Sequence, residues 1–210
     1  MPRTPEQHRA MRAATRERVR TAAIRLFCRR GYAGVDMRAI AAEAGISTGS
    51  IYRHFATKDE LYDDLVAEAA TGLRTLARSF TDTDLVVEPL RGFVEVFLAD
   101  LSRDTGAVEF YLLMNQVFAS GVEAGPERGA AVEDLLRAHR EVTGAVVTLI
   151  ERGRGRGRGL TRPAPAAELA TCFFATLGGL AMTRSALGEA FVAPSVATVT
   201  GILLVEETTA

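Results

Sequence analysis

The sequence predicts an all-α protein of about nine helices, with a helix-turn-helix near its N-terminus. Apolar residues recur at helical spacing in nearly every segment, and residues typical of helix ends stand between these segments. No segment alternates apolar and polar residues as a half-buried strand would. A chain of 210 residues, 48% of them apolar, is long enough for one or two domains with a buried core.

The first 80 residues divide into four predicted helices, over about 16–30, 37–44, 47–55 and 57–80. Gly31 and Gly45 end the first two, because glycine is favoured just past a helix C-terminus. Asp36 and Ser47 are the predicted N-caps of the second and third helices. Thr57, with a glutamate three residues later, forms a capping box at the start of the fourth.

Five further helices are predicted over about 85–101, 105–118, 132–150, 169–180 and 195–206. Thr105 and Ser195 are the predicted N-caps of the sixth and ninth helices. The sixth helix is apolar almost all round, which predicts that it is buried. Residues 153–165 are predicted to form a loop, because the Arg-Gly run 152–159 is followed by two prolines.

The charge of the chain is distributed unevenly, although the net charge is only -1. Residues 1–60 contain twelve Lys and Arg against six Asp and Glu, and residues 61–210 contain thirteen against twenty. A basic N-terminal third indicates either a surface for a polyanion or an ordinary solvated face. The longest apolar runs are interrupted by charges, so we expect no membrane span, and the charged N-terminus carries no secretory signal. We therefore expect a cytoplasmic protein.

Metal and cofactor sites are not expected from the sequence. Cys28 and Cys172 are too far apart to form a CxxC motif, and two cysteines do not make a disulfide framework. The three histidines lack metal-ligand spacing, and no phosphate-binding glycine motif is present. Residues 45–49 spell G-x-S-x-G, but a hydrolase nucleophile would need a strand before this turn. We therefore expect neither an enzyme, a cofactor nor a metal.

The second and third helices, joined by a turn at residues 45–47, form the predicted helix-turn-helix. A helix that enters the major groove must begin with small residues, because its first turn has to reach the base edges. Ser47, Thr48, Gly49 and Ser50 meet this requirement, and glycine lets the backbone approach closely. The helix N-terminus is also suited to a phosphate.

Residues 19–65 resemble the DNA-binding domain of TetR-type (TetR/AcrR) transcriptional regulators. The resemblance lies in two stretches of sequence, Ala22-Ala23-Ile24-x-Leu26-Phe27-x-x-x-Gly31-Tyr32 and Ile40-Ala41-x-x-Ala44-Gly45-Ile46-Ser47-x-Gly49-x-Ile51-Tyr52-x-His54-Phe55-x-x-Lys58-x-x-Leu61. The remainder agrees with that family only in length and helix count. The resemblance implies a helix-turn-helix domain over residues 1–60 and a ligand-binding and dimerisation domain over residues 61–210.

The resemblance also implies roles for individual residues. Arg38 would contact a phosphate or a base edge, and the small residues 47–50 would face the bases. Tyr52 and His54 would contact phosphates and flanking bases, although Tyr52 is equally interpreted as a structural prop. Lys58, the only lysine in the chain, would clamp a phosphate. The Arg-rich arm 1–14 could follow the DNA, but a disordered tail is the favoured interpretation. The Arg-Gly run is interpreted as a solvated loop.

A pocket between the C-terminal helices is the expected site of an effector. Asn115 and His139 are polar exceptions on apolar helix faces, although a satisfied core group explains them equally well. The candidate ligand-binding residues are Phe97, Tyr111, Asn115, Phe118, His139, Phe173 and Thr176. The resemblance implies a dimer formed by the last two helices, with candidate interface residues Ala175, Gly178, Gly179, Val196, Leu203 and Leu204.

The resemblance therefore implies a bacterial, ligand-responsive repressor. It would bind a palindromic operator on double-stranded DNA as a homodimer, and a small, largely apolar effector would release it. Sequence alone does not distinguish a repressor from an activator. The alternative is a helical small-molecule-binding or enzymatic protein whose helix-turn-helix no longer binds DNA specifically.

Overall fold

The computed structural model describes residues 4–103, 106–120, 129–155 and 161–205. In these ranges the chain forms nine α-helices: α1 (Pro5–Arg30), α2 (Met37–Glu43), α3 (Thr48–Ile51), α4 (Lys58–Thr81), α5 (Val87–Ser102), α6 (Ala107–Ser120), α7 (Gly129–Gly155), α8 (Ala166–Leu187) and α9 (Val196–Thr200). A 3₁₀ turn, Gly188–Ala190, follows α8. The one β-bridge in the described ranges joins Thr161 and Leu204. The all-α prediction is confirmed.

Helix α1 is longer than the sequence predicted, and the prediction of a disordered arm is wrong from residue 4 onward. The Thr4 hydroxyl accepts a hydrogen bond from the Gln7 backbone N–H, and the Gln7 side chain accepts one from Thr4 N–H. Pro5 stands at the first helical position, where proline is tolerated because no N–H is needed there. This capping box lets the helix begin well before its first buried residue, Val19. Arg3 lies outside the described residues.

The helix-turn-helix forms as predicted, but α3 ends four residues early. Asp36 and Ser47 cap α2 and α3 through hydrogen bonds from Ala39 N–H (2.8 Å) and Ser50 N–H (3.2 Å). Gly45 adopts a φ of +64°, a left-handed conformation that favours glycine and turns the chain between the two helices. Residues 52–54 form a turn rather than a continuation of α3.

Two predictions for the C-terminal region are corrected. Helix α7 continues to Gly155, so the predicted loop cannot begin at residue 153. The Arg154 guanidinium donates to the carbonyls of Arg162 (2.9 Å) and Ala164, which ties the end of α7 to the start of the next segment. Helix α9 ends at Thr200 because the chain then turns inward and pairs at the bridge. The predicted cap Thr105, residues 156–159 of the Arg-Gly run and Leu160 lie outside the described residues.

The buried apolar residues form two clusters that are arranged along α4 and α7. The first cluster joins α1, α2, α3 and the N-terminal half of α4 to residues of α6 and α7. The second joins the C-terminal half of α4 to α5, α8, α9 and the rest of α7. The predicted boundary between residues 60 and 61 stays a prediction, since one continuous core contains residues from both sides of it.

Helix α6 is less buried than its all-round apolar sequence predicted. Leu113, Met114 and Val117 are buried, whereas the other described side chains of the helix are half-buried or exposed. The half-buried side chains Phe110 and Tyr111 border a cavity. An apolar residue can therefore face a cavity as well as a packed core, which periodicity does not distinguish.

The expectation of no membrane span was too strong. The stretch Ala166–Ala190 is long and apolar enough to cross a membrane by length and composition alone. Only 33% of its most apolar window is buried inside the molecule, but α8 also packs against α6 and α7 through Leu169, Phe173 and Leu177. Core helices of soluble proteins share this composition, so the stretch is weak evidence for a span.

Candidate nucleic-acid interface and ligand cavity

The N-terminal residues of α3 face solvent, and the residues at and after its C-terminal end fix it to the core. Ile51, the last residue of α3, and Phe55, which follows it, are fully buried in the cluster that includes the inner faces of α1 and α2. Thr48 and Gly49 are exposed and Ser50 is half-buried, so small polar groups form the outward surface. An ideal Cβ added at Gly49 meets no atom within 4 Å. The turn has room for a close approach to a groove, and the contacts with bases stay a prediction.

Two arginines on α1 hold this unit together, and sequence reasoning did not assign them a role. Arg18 Nη2 donates to the carbonyls of Ala44 (2.5 Å) and Gly45 (3.0 Å), at the turn between α2 and α3. Arg16 donates to the His54 carbonyl (3.3 Å) and to Asp64 Oδ1 (2.5 Å). The available signal was the series of arginines at every second position, 16, 18 and 20, which also fits solvated side chains.

Lys58 has a structural role that the phosphate-clamp prediction did not include. Its Nζ donates to the carbonyls of Tyr32 (2.8 Å) and Val35 (2.7 Å), and it lies 4.0 Å from the centre of the Tyr32 ring. These contacts attach α4 to the loop between α1 and α2. An ammonium group has three donors, so one remains for a phosphate.

The other predicted DNA contacts lie at accessible positions. Arg38 and Ser47 are exposed, and the Tyr52 side chain is 51% exposed, which argues against a buried structural prop. His54 is half-buried at the end of the α3 turn. Burial lowers its pKa, and the charges of Arg12, Arg16 and Arg53 lower it further. His54 is therefore surrounded by a positive field, which suits a surface that meets phosphates.

A cavity of about 1460 Å³ lies between α1, α4, α5, α6, α7 and α8. Five of the seven predicted ligand-binding residues line it: Phe97, Tyr111, Asn115, Phe118 and His139. The prediction is wrong for Phe173 and Thr176, which do not line the cavity. Phe173 is fully buried in the second core cluster, and the Thr176 hydroxyl donates to the Cys172 carbonyl (2.8 Å).

The polar residues of the cavity wall are held among aromatic rings. The His139 ring lies 4.9 Å from the Phe118 ring and 5.6 Å from the Phe174 ring, between centroids. Burial lowers the pKa of His139, which favours the neutral imidazole. An ideal Cβ at Gly178 would lie 3.5 Å from the Asn115 amide nitrogen, so α6 and α8 approach closely there. Within the described ranges the Asn115 amide has no hydrogen-bond partner, which leaves it available to a ligand.

The model of the "Bacterial regulatory proteins, tetR family" matches residues 19–65, the segment that carries the helix-turn-helix. The chain belongs to the TetR family. The transcriptional activator FasR of Mycolicibacterium smegmatis is 32% identical to this TetR-family chain over 153 residues, which cover 69% of the chain and 63% of FasR. The first curated relatives are matched over only 36% or 37% of their own length.

Solved structures with the same fold are similar to this chain over most of its length. The MbdR regulator from Azoarcus sp. CIB superimposes with a TM-score of 0.71 and 22% identity, over 90% of this chain and 97% of that one. SmeT, solved as a complex with triclosan, has a TM-score of 0.65 and 23% identity, over 92% and 93% of the two chains. At these identities the likeness shows the fold alone.

The predicted dimer residues of this TetR-family chain divide into two groups. Ala175 and Gly179 are exposed on α8, and Val196 is half-buried. Ala175 and Gly178 also line the cavity. Leu203 and Leu204 are buried inside the monomer, so their assignment to an interface is corrected. They fill the core because the chain turns inward after α9. In the described ranges no group of three or more His, Cys, Asp and Glu could hold a metal ion.

Proposed function

We propose that the chain is a ligand-responsive transcriptional regulator that binds operator DNA through α3. The exposed first turn of α3 supports this role, as does the positive field of the neighbouring arginines. Thr48, Gly49 and Ser50 would read base edges, while Arg38, Tyr52, His54 and Lys58 would contact phosphates. Such a protein would act in the bacterial cytoplasm.

The proposal of ligand response depends on one observation, which is that helices lining the cavity also hold α3 in position. Residues of α1 and α4 line the cavity, including Ile24 and Leu73, and both pack against the core of the helix-turn-helix. A ligand in the cavity would therefore contact the helices that position α3. An effector that prefers a second arrangement of α1 and α4 would shift the population away from the DNA-binding state. By reciprocity, DNA would weaken effector binding by the same factor.

The cavity supports a largely apolar effector. Six aromatic side chains line it, namely Phe93, Phe97, Phe110, Tyr111, Phe118 and Phe174. Its volume exceeds the roughly 300–1,000 Å³ of ordinary ligand pockets, so a large molecule fits. SmeT, which shares the fold, is solved with triclosan, an observation that supports ligand binding in this fold. FasR is named an activator, so the direction of regulation needs its own measurement. Repression by the ligand-free protein is our proposal.

Dimerisation is proposed along the exposed face of α8. Cys172, Ala175, Gly179 and Met182 are exposed and follow one another at intervals of three or four residues, so they form one stripe. Small residues allow close helix approach, and the Met182 side chain is 60% exposed. A two-fold dimer would present two α3 helices to successive major grooves and would require a palindromic operator.

Anisotropy of a fluorescent duplex from the region upstream of the gene tests this proposal, with a scrambled duplex as control. We expect sequence-dependent binding at two or four chains per duplex, retained in part between about 50 and about 200 mM salt. Equal binding to both duplexes that is lost at the higher salt would contradict a specific operator in this region. The operator would then lie elsewhere, or the chain would be a helical ligand-binding protein whose helix-turn-helix no longer reads DNA.

A further inference from the structure

The charged groups that line the cavity are predominantly acidic. In the described ranges these groups are the three carboxylates of Glu17, Glu68 and Asp100 and the one guanidinium of Arg20. His139 also lines the cavity, and burial lowers the pKa of this imidazole, which favours its neutral form. The side chains of Glu17 and Glu68 are 69% and 56% exposed, so water screens their charges. Asp100 is half-buried, and its negative charge therefore borders the apolar space.

The one arginine of this wall is already engaged by carboxylates. Arg20 forms an ion pair with Glu68, and its nitrogens lie 3.6 Å from Asp64 Oδ2 and 3.8 Å from Glu17 Oε2. Its side chain is only 14% exposed. An anionic ligand would have to displace these carboxylates, so Arg20 offers it no free partner.

Asp100 is the acidic group that has no such partner. It is half-buried on α5, and within the described ranges no lysine or arginine nitrogen lies within 4.0 Å of its carboxylate. Burial, followed by the charge of Asp100, raises the pKa of Tyr111 to about 12. The carboxylate therefore acts on a residue inside the cavity, where water is partly excluded.

Aromatic rings surround the cavity wall next to Asp100. The Phe97 and Tyr111 ring centroids lie 5.0 Å apart, and each ring has a further neighbour at 6.3 Å, Phe93 and Phe110 respectively. Aromatic faces attract cations through the ring quadrupole, most strongly where the cation is desolvated. A carboxylate beside a group of aromatic rings is the arrangement that binds an ammonium or another organic cation.

We propose that the cavity takes an organic cation with a bulky apolar or aromatic body, whose positive group lies between Asp100 and the Phe97 and Tyr111 rings. This proposal rests on the proposed function in one respect, namely that the cavity is the effector site. The apolar body fills the space toward Phe118 and His139, where rings line the wall. Attraction between the cation and the Asp100 carboxylate compensates for the hydration that the cation loses in the cavity.

Tetraphenylphosphonium and tetraphenylborate provide a direct test, because they have nearly the same shape and opposite charge. Calorimetric titration of the full chain without DNA should show that the phosphonium ion binds at least about tenfold more tightly than the borate. Asp100→Asn should weaken phosphonium binding by about tenfold and leave borate binding unchanged or stronger. Glu95→Gln is the matched control, because this carboxylate lies on the same helix, is exposed and does not line the cavity.

The outcomes separate this proposal from the regulatory one. Equal or tighter binding of the borate, or no binding of either ion, would overturn the cation preference without any variant. Unchanged phosphonium affinity in Asp100→Asn would overturn the role of Asp100. The DNA titration tests the regulatory proposal separately. Loss of operator binding on addition of the phosphonium ion would support both the cation site and its role as the effector site. Cation binding to a chain that binds no specific DNA would overturn the regulator alone.

Discussion

Replacement of Lys58 by methionine tests whether this residue acts on the fold as well as on DNA. The Nζ atom donates to the carbonyls of Tyr32 and Val35 at 2.8 and 2.7 Å and lies over the Tyr32 ring. Methionine keeps much of the length and the apolar stem but removes the charge and all three donors. The variant therefore removes the attachment of α4 to the loop between α1 and α2.

The magnitude follows from the contacts that are lost. Two hydrogen bonds from a charged donor contribute about 1.5 kcal/mol each at the lower end of their range, and the ring contact adds about 0.5 kcal/mol. Lys58 is half-buried, so solvent screening reduces the sum to about 2 kcal/mol. For a chain of this length that corresponds to a loss of about 4–8 °C in the melting temperature.

Urea denaturation and a salt series of DNA titrations measure the two roles separately. We expect Lys58→Met to lower the free energy of unfolding by about 2 kcal/mol and the salt slope of DNA binding by about 1. Arg53→Met is the control, because Arg53 is exposed and should change stability by less than about 0.5 kcal/mol. A Lys58→Met protein as stable as the wild type would refute the structural role.

The remaining predictions concern the turn, the DNA-facing residues and the half-buried His139. Gly45→Ala should destabilise the chain by about 1–2 kcal/mol in urea denaturation because its φ is +64°, whereas Gly49→Ala should keep stability and weaken only DNA binding. Thr48→Ala or Ser50→Ala should change which operator is preferred in competition titrations, and equal weakening on all duplexes would contradict a role in base readout. Burial lowers the pKa of His139 below its ordinary 6.5, so as the pH falls the unfolded chain takes up a proton before the folded chain does. Stability should therefore decrease as the pH falls below about 6.5, less steeply in His139→Gln, and an identical pH dependence of the free energy of unfolding would contradict it.

The sequence predicted the helices well where local signals act alone. Asp36, Ser47 and Thr57 each cap a helix as predicted, because a side-chain oxygen next to the first free N–H groups is a local interaction. It failed where distant contacts decide the end of a helix. Helix α9 ends early because Leu203 and Leu204 turn into the core, and this packing depends on residues far away in the chain. Helical periodicity does not predict where such a helix ends.

The candidate site shows the same division. The exposure of the α3 residues could be predicted from the sequence, because small polar residues directly after an N-cap add little to a core. Lys58 and Arg18 were not, because their partners are backbone carbonyls of another segment, which carry no sequence signal. Phe173 and Phe97 look alike in a helical repeat, and both belong to the second core cluster, yet only Phe97 also lines the cavity. Only the arrangement of the six helices around the cavity separates them.

We propose that a ligand in the cavity influences α3 through contacts within one subunit. Met114 lines the cavity and belongs to the same buried cluster as Leu26 on α1, and α6 packs directly on α1. Packed interiors rearrange between discrete states rather than deforming continuously, so a ligand that displaces α6 must move α1 or open a void. Because Arg18 joins α1 to the turn at Gly45, a rotation of α1 would change the position of α3. We therefore expect Arg18→Met to weaken the coupling between effector and DNA more than it weakens effector binding, measured as the ratio of effector affinities with and without operator. An unchanged ratio would mean that coupling runs through α4 instead.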